Sequence, residues 1–367
     1  MRIAIVHDWL TVYGGAERIL TKMLEIFPQA DLFAVLDVFS QENRYLIFNK
    51  KVKTTFLQYF PFLKKFYRYY SFLMPLAIEQ LDLEHYDLII SLSHCVAKGV
   101  ITHPDQKHLC YCFSPMRYAW DLQKHYFTNN FFRNVSLRLL LYRLRKWDVI
   151  SASRPDKYLA ISHFVKRRIM KIYRRSSDVV YPFISTSSFQ CCFNKEDYYL
   201  IVSRLVPYKG IELAIRTFKQ MPDKRLIIIG EGPDRQRLEK MASDNIRFLG
   251  YLKSTLVKRY MQRAKCFLFL AIEDFGISSL EAQACGTPVI AIERGAAPET
   301  IQGISSSCPT GLFFKNLEIS DLKEAILNFE DHRLIFNPLT CRQNAERFSE
   351  KVFEEKIIQN VNEFMFL

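Results

Sequence analysis

The segment CFLFLAIEDFGISSLEAQACGTPVIAI, residues 266–292, has the pattern of a strand, a short turn, a helix and a second strand. Its two predicted strands are the apolar runs Cys266–Leu270 and Pro288–Ile292, and the stretch between them is helical in character. Strands that alternate with helices are typical of parallel sheets built from βαβ units. Glu273 follows the first strand and Glu281 follows in the helix. The segment therefore also predicts an acid at the carboxyl edge of a sheet, where ligands bind.

The same alternation of strands and helices runs along the chain in two series. They are separated by the serine-rich segment Ser176–Asp197, which we interpret as a linker. The predicted strands are Ile3–His7, Leu32–Leu36, Leu88–Ser91, His108–Cys112 and Tyr158–Ile161, then Tyr199–Ser203, Arg225–Gly230, Ile246–Leu249, Cys266–Leu270 and Pro288–Ile292. The pattern predicts an α/β protein with two Rossmann-like, doubly wound domains that face a cleft. We expect the domains at 1–185 and 186–340, with a C-terminal helix at 341–367 packed back on the first.

Composition limits the cellular setting. The chain has 367 residues and a net charge of +13, which favours an anionic partner such as a nucleotide, a nucleic acid or a membrane surface. Its nine cysteines show no C-x-x-C pair and no Cys/His cluster at zinc spacing, so we expect free thiols in a reducing compartment. The opening run MRIAIVHDW is too short for a signal peptide, and no stretch of ~18 apolar residues predicts a membrane span. We expect a cytoplasmic chain.

The two acids have two interpretations. Ser278 and Glu281 are three residues apart and fit a capping box, in which each satisfies a backbone donor at a helix start. That interpretation does not account for Glu273, which follows a strand directly. The backbone N–H groups of Phe275-Gly276-Ile277 would form an anion site at the helix N-terminus. A carboxylate beside such a site repels phosphate, so sugar hydroxyls are its natural partners.

A second loop supplies cations at the same kind of position. In VSRLVPYKGIELAI, residues 202–215, Arg204 and Lys209 lie five residues apart between a predicted strand and a helix. Two cations on one loop at the carboxyl edge suit a pyrophosphate group, although solvated surface charge is the plain alternative. In IIIGEGPDRQRLE, the G-E-G-P segment at residues 230–233 is a tight strand-to-helix turn.

These segments together resemble the retaining glycosyltransferases of family 4, which share the GT-B fold. The resemblance rests on E-x7-E with F-G-I between the acids, on G-T-P-V after them, and on S-R-x-x-x-x-K-G and G-x-G-P. It implies that Glu273 contacts the donor sugar, that Glu281 contacts the ribose, and that Arg204 and Lys209 stabilise the leaving diphosphate. The other donor-binding residues that it implies are Phe275, Gly276, Ile277 and Ser278 around the diphosphate, Glu231 in the G-x-G-P turn, and Tyr251 and Leu252 near the base.

The first predicted domain carries two further segments. HDWLTVYGGAERIL holds Gly14-Gly15 before a helix but not G-x-G-x-x-G. The resemblance implies that this loop faces the donor phosphates and the acceptor, and an ordinary turn is the alternative. CYCFSPMRYAWD, residues 110–121, resembles a subgroup that builds bacterial O-antigen, commonly as mannosyltransferases using GDP-mannose. Phe113 and Ser114 replace the histidine and threonine of that subgroup, so altered donor choice, weak activity or replacement by His94 stay open. The candidate acceptor-side residues are His94, Lys98, Arg117, Tyr118, Trp120 and Asp121.

The predicted reaction moves a sugar from a nucleotide-sugar donor to a hydroxyl of a lipid-linked saccharide in cell-surface polysaccharide biosynthesis. The expected donor is GDP-mannose and the expected sugar is mannose. No D-x-D motif is present, and we expect neither a metal nor a cofactor. Three basic segments rich in aromatic or leucine residues, at 61–75, 131–147 and 166–175, fit either a bilayer surface on the inner face of the membrane or ordinary solvated helices. The alternatives are another nucleotide-sugar enzyme of the same fold, such as a UDP-sugar transferase or an epimerase, or a non-catalytic membrane- or RNA-binding protein.

Overall fold

The computed structural model describes residues 1–123 and 131–366, with side chains from residue 134 in the second range. The chain divides into two compact units. The first consists of Met1–Tyr181 and Glu354–Leu367, and the second is Pro182–Phe353.

The first unit is built on a parallel sheet with the strand order β3-β2-β1-β4-β5-β6-β7. Its strands are β1 Ile3–His7, β2 Asp31–Ala34, β3 Val52–Thr54, β4 Leu88–Ser93, β5 Lys107–Cys112, β6 Lys157–Ala160 and β7 Asp178–Val179. Its helices are α1 Gly15–Ile26, α2 Leu63–Phe66, α3 Met74–Ile78, α4 Phe131–Ser151 and α5 His163–Tyr173. All residues of β1 and β4 are buried, as expected for central strands that are covered on both faces.

The second unit repeats this plan with the parallel order β10-β9-β8-β11-β12-β13. Its strands are β8 Tyr199–Val202, β9 Leu226–Ile229, β10 Ile246–Gly250, β11 Cys266–Phe269, β12 Val289–Ile292 and β13 Gly311–Phe314. The remaining helices are α6 Ile211–Phe218, α7 Arg235–Glu239, α8 Ser254–Arg263, α9 Ile277–Ala284, α10 Ala297–Thr300, α11 Ile319–Asp331, α12 Pro338–Glu346 and α13 Glu350–Phe366. Leu268, Ile290 and Phe329 belong to the core that packs α11 and its neighbours against this sheet.

Both sheets reverse their strand order at one place. In the first unit the chain leaves β1 in one direction and returns beside it as β4, and in the second β8 and β11 have the same relation. The loops after two such neighbouring strands diverge to opposite faces of the sheet and leave a crevice at the carboxyl ends. The crevices of the two units are therefore bordered by the loops after β1 and β4, and after β8 and β11.

The predicted α/β class and the two Rossmann-like domains are confirmed, and each predicted strand overlaps an observed one. The sequence analysis missed β3, β7 and β13, which have only two to four residues each. The single helical stretch expected at 341–367 is two helices, α12 and α13, and the division between the units falls inside α13. The observed divisions, at residues 181/182 and 353/354, thus differ from the expected 185/186 and 340/341.

Candidate functional site

Glu273 and Lys209 meet at the switch point of the second sheet. The Lys209 ammonium donates to the Glu273 carboxylate in an ion pair, and each side chain retains about a fifth of its exposure. The backbone of Glu273 is fixed from the β12 side, because the Ala296 N–H donates to its carbonyl at 3.0 Å. Gly295, at a φ of +71°, passes so close that a Cβ there would lie 2.6 Å from that carbonyl oxygen. The sequence-predicted acid and cation are therefore brought together.

The turn between Glu273 and α9 depends on Gly276. Its φ is +95°, and a Cβ there would lie 2.7 Å from the Phe269 ring, so only glycine fits without strain. Gly276 is the N-cap residue of α9, and the Ser279 hydroxyl donates to its carbonyl at 2.8 Å. Ser278 is therefore the second helical residue and not a cap, so the capping-box interpretation of Ser278 and Glu281 is wrong.

The N-cap residue of α9 contributes no side-chain cap. It is Gly276, which has no side chain that could accept a hydrogen bond from the first N–H groups of the helix. Phe275 is buried with its ring 5.7 Å from that of Phe348, which anchors the turn in the second unit. Ile277 and Glu281 lie in α9 and are half-buried. The backbone N–H groups at residues 276–278 thus lie at the N-terminus of a helix, the position at which an anion site forms.

Arg204 lies on the loop after β8 with an exposed side chain. Within the described parts of the chain its guanidinium has no hydrogen-bond or ion-pair partner. The loop itself is tightly held, because Gly230 and Gly232 of the β9 loop cross it. A Cβ at Gly230 would lie 1.9 Å from the Ser203 carbonyl oxygen, and one at Gly232 would lie 2.1 Å from that of Leu205. A rigid loop thus presents an unpaired cation at the carboxyl edge.

The residues predicted near the base lie at the same edge, after β9 and β10. The Glu231 carboxylate pairs with Arg235 and also accepts the backbone N–H of Tyr251 at 3.2 Å. The Tyr251 ring is 77% exposed, whereas Leu252 is half-buried. Glu231 therefore positions the backbone that presents Tyr251, a role that the sequence analysis did not assign to it.

In the first unit, the glycine loop precedes α1. Gly14 is the N-cap of this helix, and its N–H donates to Glu17 Oε2 at 2.9 Å. Neither Gly14 nor Gly15 has a positive φ. Burial opposes ionisation of Glu17, but its contacts with His7 outweigh this and lower the pKa of its carboxyl group. A charged Glu17 therefore stands behind the glycine loop.

The structure corrects the prediction for Lys98. Its side chain is fully buried, and Nζ donates to Asp148 Oδ1 at 2.5 Å and to the Cys95 carbonyl at 3.1 Å. Burial lowers the pKa of Lys98, but the Asp148 charge outweighs it and raises the pKa overall. Trp120 also donates its indole N–H to Asp148, at 2.8 Å. Lys98 is therefore part of an internal network and is not available to a substrate.

The other acceptor-side candidates lie near the carboxyl end of β5. Arg117 contacts Asp121 at 3.3 Å, and Arg168 of α5 contacts the same carboxylate at 2.7 Å. The hydroxyl of the half-buried Tyr118 lies 3.0 Å from the thiol of Cys95. These side chains form a polar group in which Arg117 and Asp121 keep partial exposure.

Asp8 is the functional-site residue that the sequence analysis missed. It is fully buried directly after β1, and its carboxylate accepts the backbone N–H groups of His94, Cys95, Val96 and Ala97 at 2.6–3.0 Å. His94 Nδ1 lies 2.8 Å from Asp8 Oδ2. The Phe113 ring packs 6.3 Å from that of His94. An acid placed just after the apolar run Ile3–Val6 and His7, at the carboxyl end of the first strand, was the available signal.

The described residues provide neither a metal site nor a membrane-spanning helix. The side chains of the described residues form no group of three His, Cys, Asp or Glu that could hold a metal ion. No helix in the same part of the chain combines the length and apolar composition needed to cross a bilayer.

Residues 188–351 match the family model described as glycosyl transferases group 1. Among curated proteins, the chain is 35% identical over 144 residues to a GDP-mannose-dependent monoacylated alpha-(1-6)-phosphatidylinositol monomannoside mannosyltransferase of Corynebacterium glutamicum, covering 35% of this chain and 36% of that protein. It is 29% identical over 181 residues to the O-antigen chain mannosyltransferase RfbU of Salmonella typhimurium, covering 46% of this chain and 49% of that protein. The chain thus spans between about a third and a half of the length of these two relatives.

Solved structures match over the whole length. Anabaena HepE, in complex with UDP, aligns with 99% of this chain and 100% of its own at a TM-score of 0.72 and 16% identity. Sucrose-phosphate synthase from Thermosynechococcus elongatus aligns with 100% of this chain and 99% of its own at a TM-score of 0.73 and 14% identity. At such identities the likeness shows the fold alone, and it confirms the predicted GT-B architecture.

Proposed function

We propose that the chain is a glycosyltransferase, because residues 188–351 match the family model of group 1 glycosyl transferases. It moves a sugar from a nucleoside diphosphate to a hydroxyl group of a saccharide. The observation that carries this proposal is the Lys209–Glu273 pair at the β8/β11 switch point. The loop that carries Lys209 also carries Arg204, which has no ion-pair partner among the described residues. An acid, two cations and a helix N-terminus are the groups that a sugar diphosphate needs.

The division of labour follows from charge. The carboxylate of Glu273 accepts hydrogen bonds from donor-sugar hydroxyls, and Lys209 holds it in position. Arg204 has no competing partner among the described residues, so its guanidinium is free to bind diphosphate oxygens. As the bond between the sugar C1 and the diphosphate breaks, negative charge grows on the leaving group, and Arg204, Lys209 and the α9 backbone stabilise it. In this scheme Glu281 contacts the ribose of the nucleotide and Tyr251 contacts its base.

GDP-mannose is the donor that we propose. The support is that two relatives are mannosyltransferases, one of them GDP-mannose-dependent, and that the segment at 110–121 resembles a mannosyltransferase subgroup. The UDP complex of a structural neighbour makes a UDP-sugar the competing candidate. We also propose a retaining reaction, by resemblance, and a lipid-linked saccharide acceptor.

Calorimetric binding to GDP, UDP and ADP, with and without their common sugars, tests this proposal without an acceptor. We expect GDP-mannose to bind best, and Arg204→Ala to weaken binding about tenfold or more through the loss of a charged hydrogen bond. Lys219→Ala is the control, because Lys219 is an exposed cation of the same unit just after α6. A preference for UDP-sugars would overturn the mannose donor, and no nucleotide binding would favour a non-catalytic basic protein.

We further propose that the first unit binds an anionic bilayer surface. The exposed face of α4 carries apolar residues at helical spacing, namely Val135, Leu139, Tyr142, Val149 and Ile150. Arg143 and Lys146 lie on the same face, which we call the α4 outer face. Apolar side chains interleaved with cations suit insertion at the headgroup level of an anionic membrane.

A second exposed segment has the same chemistry. Tyr59, Phe62 and Tyr69 are among the most exposed aromatic side chains of the first unit, and Lys64 and Lys65 lie between them. Phe62 has a φ of +50°, an unusual backbone conformation for a bulky residue, in a turn that leaves its ring in solvent. Exposed aromatic residues beside lysines support the same kind of partner.

A further inference from the structure

Two acid–imidazole pairs lie side by side at the switch point of the first unit. Asp8 pairs with His94, and Glu17 Oε1 lies 3.5 Å from His7 Nε2. His7 ends β1, Asp8 follows it, and His94 follows β4, so the β1–β4 pairing places all three at the carboxyl edge. Of the two imidazoles, His7 is fully buried, whereas the His94 side chain is one third exposed. Only His94 is therefore placed to meet a ligand.

Asp8 fixes both the position and the tautomer of His94. Its carboxylate accepts four successive backbone N–H groups from residue 94 onward, which locks the turn that carries the ring. Asp8 Oδ2 lies 2.8 Å from Nδ1, and a carboxylate charge at that distance repels a nitrogen lone pair, which favours the ring proton of a neutral His94 on Nδ1. The lone pair is then on Nε2, which has no protein partner among the described residues. A carboxylate that holds an imidazole in one tautomer in this way leaves a directed hydrogen-bond acceptor.

The surroundings favour a hydroxyl over a phosphate as the partner of Nε2. Asp8 and Glu17 both carry negative charge behind the ring. The described titratable groups close by are His7, the buried thiol of Cys95, the hydroxyl of Tyr118, and Lys98, whose ammonium is already paired with Asp148. The edge of Trp9 lies against the His94 ring at a centroid distance of 4.7 Å. An uncharged polar ligand with an apolar face matches this combination.

We propose that His94, positioned by Asp8, binds a hydroxyl group of the saccharide acceptor, with the neutral imidazole Nε2 accepting the hydrogen bond. This inference rests on the proposed glycosyltransferase function and names the group of the first unit that recognises the acceptor. Phe113, packed beside His94, then supplies shape and no polar contact. Asp8 acts through His94 and is a positioning residue.

The inference has a pH signature. Burial lowers the pKa of His94, but the charge and hydrogen bond of Asp8, and then the charge of Glu17, outweigh it and raise the pKa above its ordinary value. The protonated ring cannot accept a hydrogen bond, so acceptor affinity is low below this pKa and rises as the pH increases through it. His108, another buried imidazole of this sheet, has its pKa lowered to about 3 by burial and therefore stays neutral between pH 5.5 and 9.

The test compares wild type, His94→Phe, His94→Gln and His85→Gln in transfer from GDP-mannose and UDP-glucose to a panel of alkyl glycosides, between pH 5.5 and 9. We expect His94→Phe to raise the acceptor KM about tenfold with little change in kcat, as for one lost hydrogen bond. His94→Gln keeps an acceptor oxygen that does not titrate, so it retains most of the affinity and loses the pH dependence. His85, exposed before the amino end of β4, is the matched control and should change nothing.

Direct observation of the ring supplies a second readout in wild type. Nitrogen NMR of labelled histidines should find the His94 proton on Nδ1 and a raised pKa. A proton on Nε2, or a His94→Phe variant with wild-type KM and pH profile, overturns the inference while leaving the proposed function intact. If wild type binds the donor but transfers sugar to none of the glycosides, the result argues against a saccharide hydroxyl as the partner of His94. Absence of nucleotide-sugar binding in wild type overturns the proposed function, and this inference with it.

Discussion

At the scale of single residues, the second unit resolves an apparent conflict in its own sequence. Glu273 is an acid beside a predicted phosphate site, where a carboxylate alone would repel the ligand. Its pairing with Lys209 removes that repulsion and at the same time aims the carboxylate. Because both side chains keep about a fifth of their exposure, the pair is accessible to a ligand and not sealed in the core. The ion pair is therefore better explained as a poised site than as a structural contact.

Glu273→Gln separates a sugar contact from a phosphate contact. If the carboxylate binds sugar hydroxyls, the substitution weakens binding of GDP-mannose about tenfold or more, since hydrogen bonds to charged groups contribute about 1.5–3 kcal/mol. Binding of GDP, which lacks the sugar, should stay unchanged, and transfer should be lost. Calorimetry with both ligands measures the difference, with Glu324→Gln in α11 as the exposed control. An equal loss for GDP would mean that Glu273 acts only by positioning Lys209.

The sequence could place residues that lie on one loop after one strand. Glu273 and Lys209 each lie on the loop after a predicted strand, so both could be expected at the carboxyl edge of the second sheet, where their contact is observed. Their roles toward a ligand stay predictions. Asp8 and His94 could not be paired in this way, since they are 86 residues apart and meet only through the β1–β4 register. Lys98 was misassigned for the same reason, because Asp148, the acid with which it pairs, lies 50 residues further along the chain.

At the scale of elements, the Asp148 network attaches α4 to the turn after β4. Asp148 is fully buried in α4 and accepts from Lys98, from the Trp120 indole and, at 2.9 Å, from the Tyr173 hydroxyl of α5. Three donors on three different segments converge on one carboxylate. The network therefore holds the base of the turn that presents His94.

Lys98→Met should destabilise the protein strongly. It leaves the charge of Asp148 buried without a cation, and breaking a buried pair in this way costs about 3–5 kcal/mol. Urea unfolding monitored by circular dichroism measures the loss, and Lys64→Met, at an exposed position, should stay within about 0.5 kcal/mol of wild type. Adding Asp148→Asn to Lys98→Met removes the stranded charge and should recover part of the stability. A double variant no more stable than Lys98→Met would argue against the electrostatic cause.

Gly276→Ala should distort the turn that precedes α9. The residue must hold a φ of +95°, and the new methyl group would meet the Phe269 ring. We expect a loss of at least about 1 kcal/mol in unfolding free energy and weaker nucleotide binding, because the first N–H groups of α9 shift. Gly303→Ala is the control, since its φ is not positive and a Cβ there would come no closer than 3.2 Å to Phe313. Unchanged nucleotide affinity would separate the turn from the binding site.

At the scale of the whole molecule, the net charge of +13 is more than a nucleotide diphosphate requires. Four exposed cations of the first unit, Lys64, Lys65, Arg143 and Lys146, lie among exposed apolar side chains around Phe62 and on the α4 outer face. The charges proposed to bind the donor lie at the edge of the second sheet. A protein that only bound a soluble anion would not need apolar residues beside these cations. The combination favours a surface on which charge attraction and apolar burial add.

Vesicle binding by two double variants of equal net charge tests whether the first unit binds an anionic bilayer surface. Arg143→Ala/Lys146→Ala on the α4 outer face and Lys219→Ala/Lys240→Ala in the second unit each lower the net charge by two, from +13 to +11. At about 1 kcal/mol per cation near an anionic surface, the first variant should bind phosphatidylserine-containing vesicles roughly 30-fold more weakly in sedimentation, and the second should bind like wild type. Raising the salt concentration should weaken wild-type binding in the same direction, because the attraction is screened. Equal losses in both variants would instead assign the binding to net charge, and the α4 outer face would then be an ordinary solvated surface.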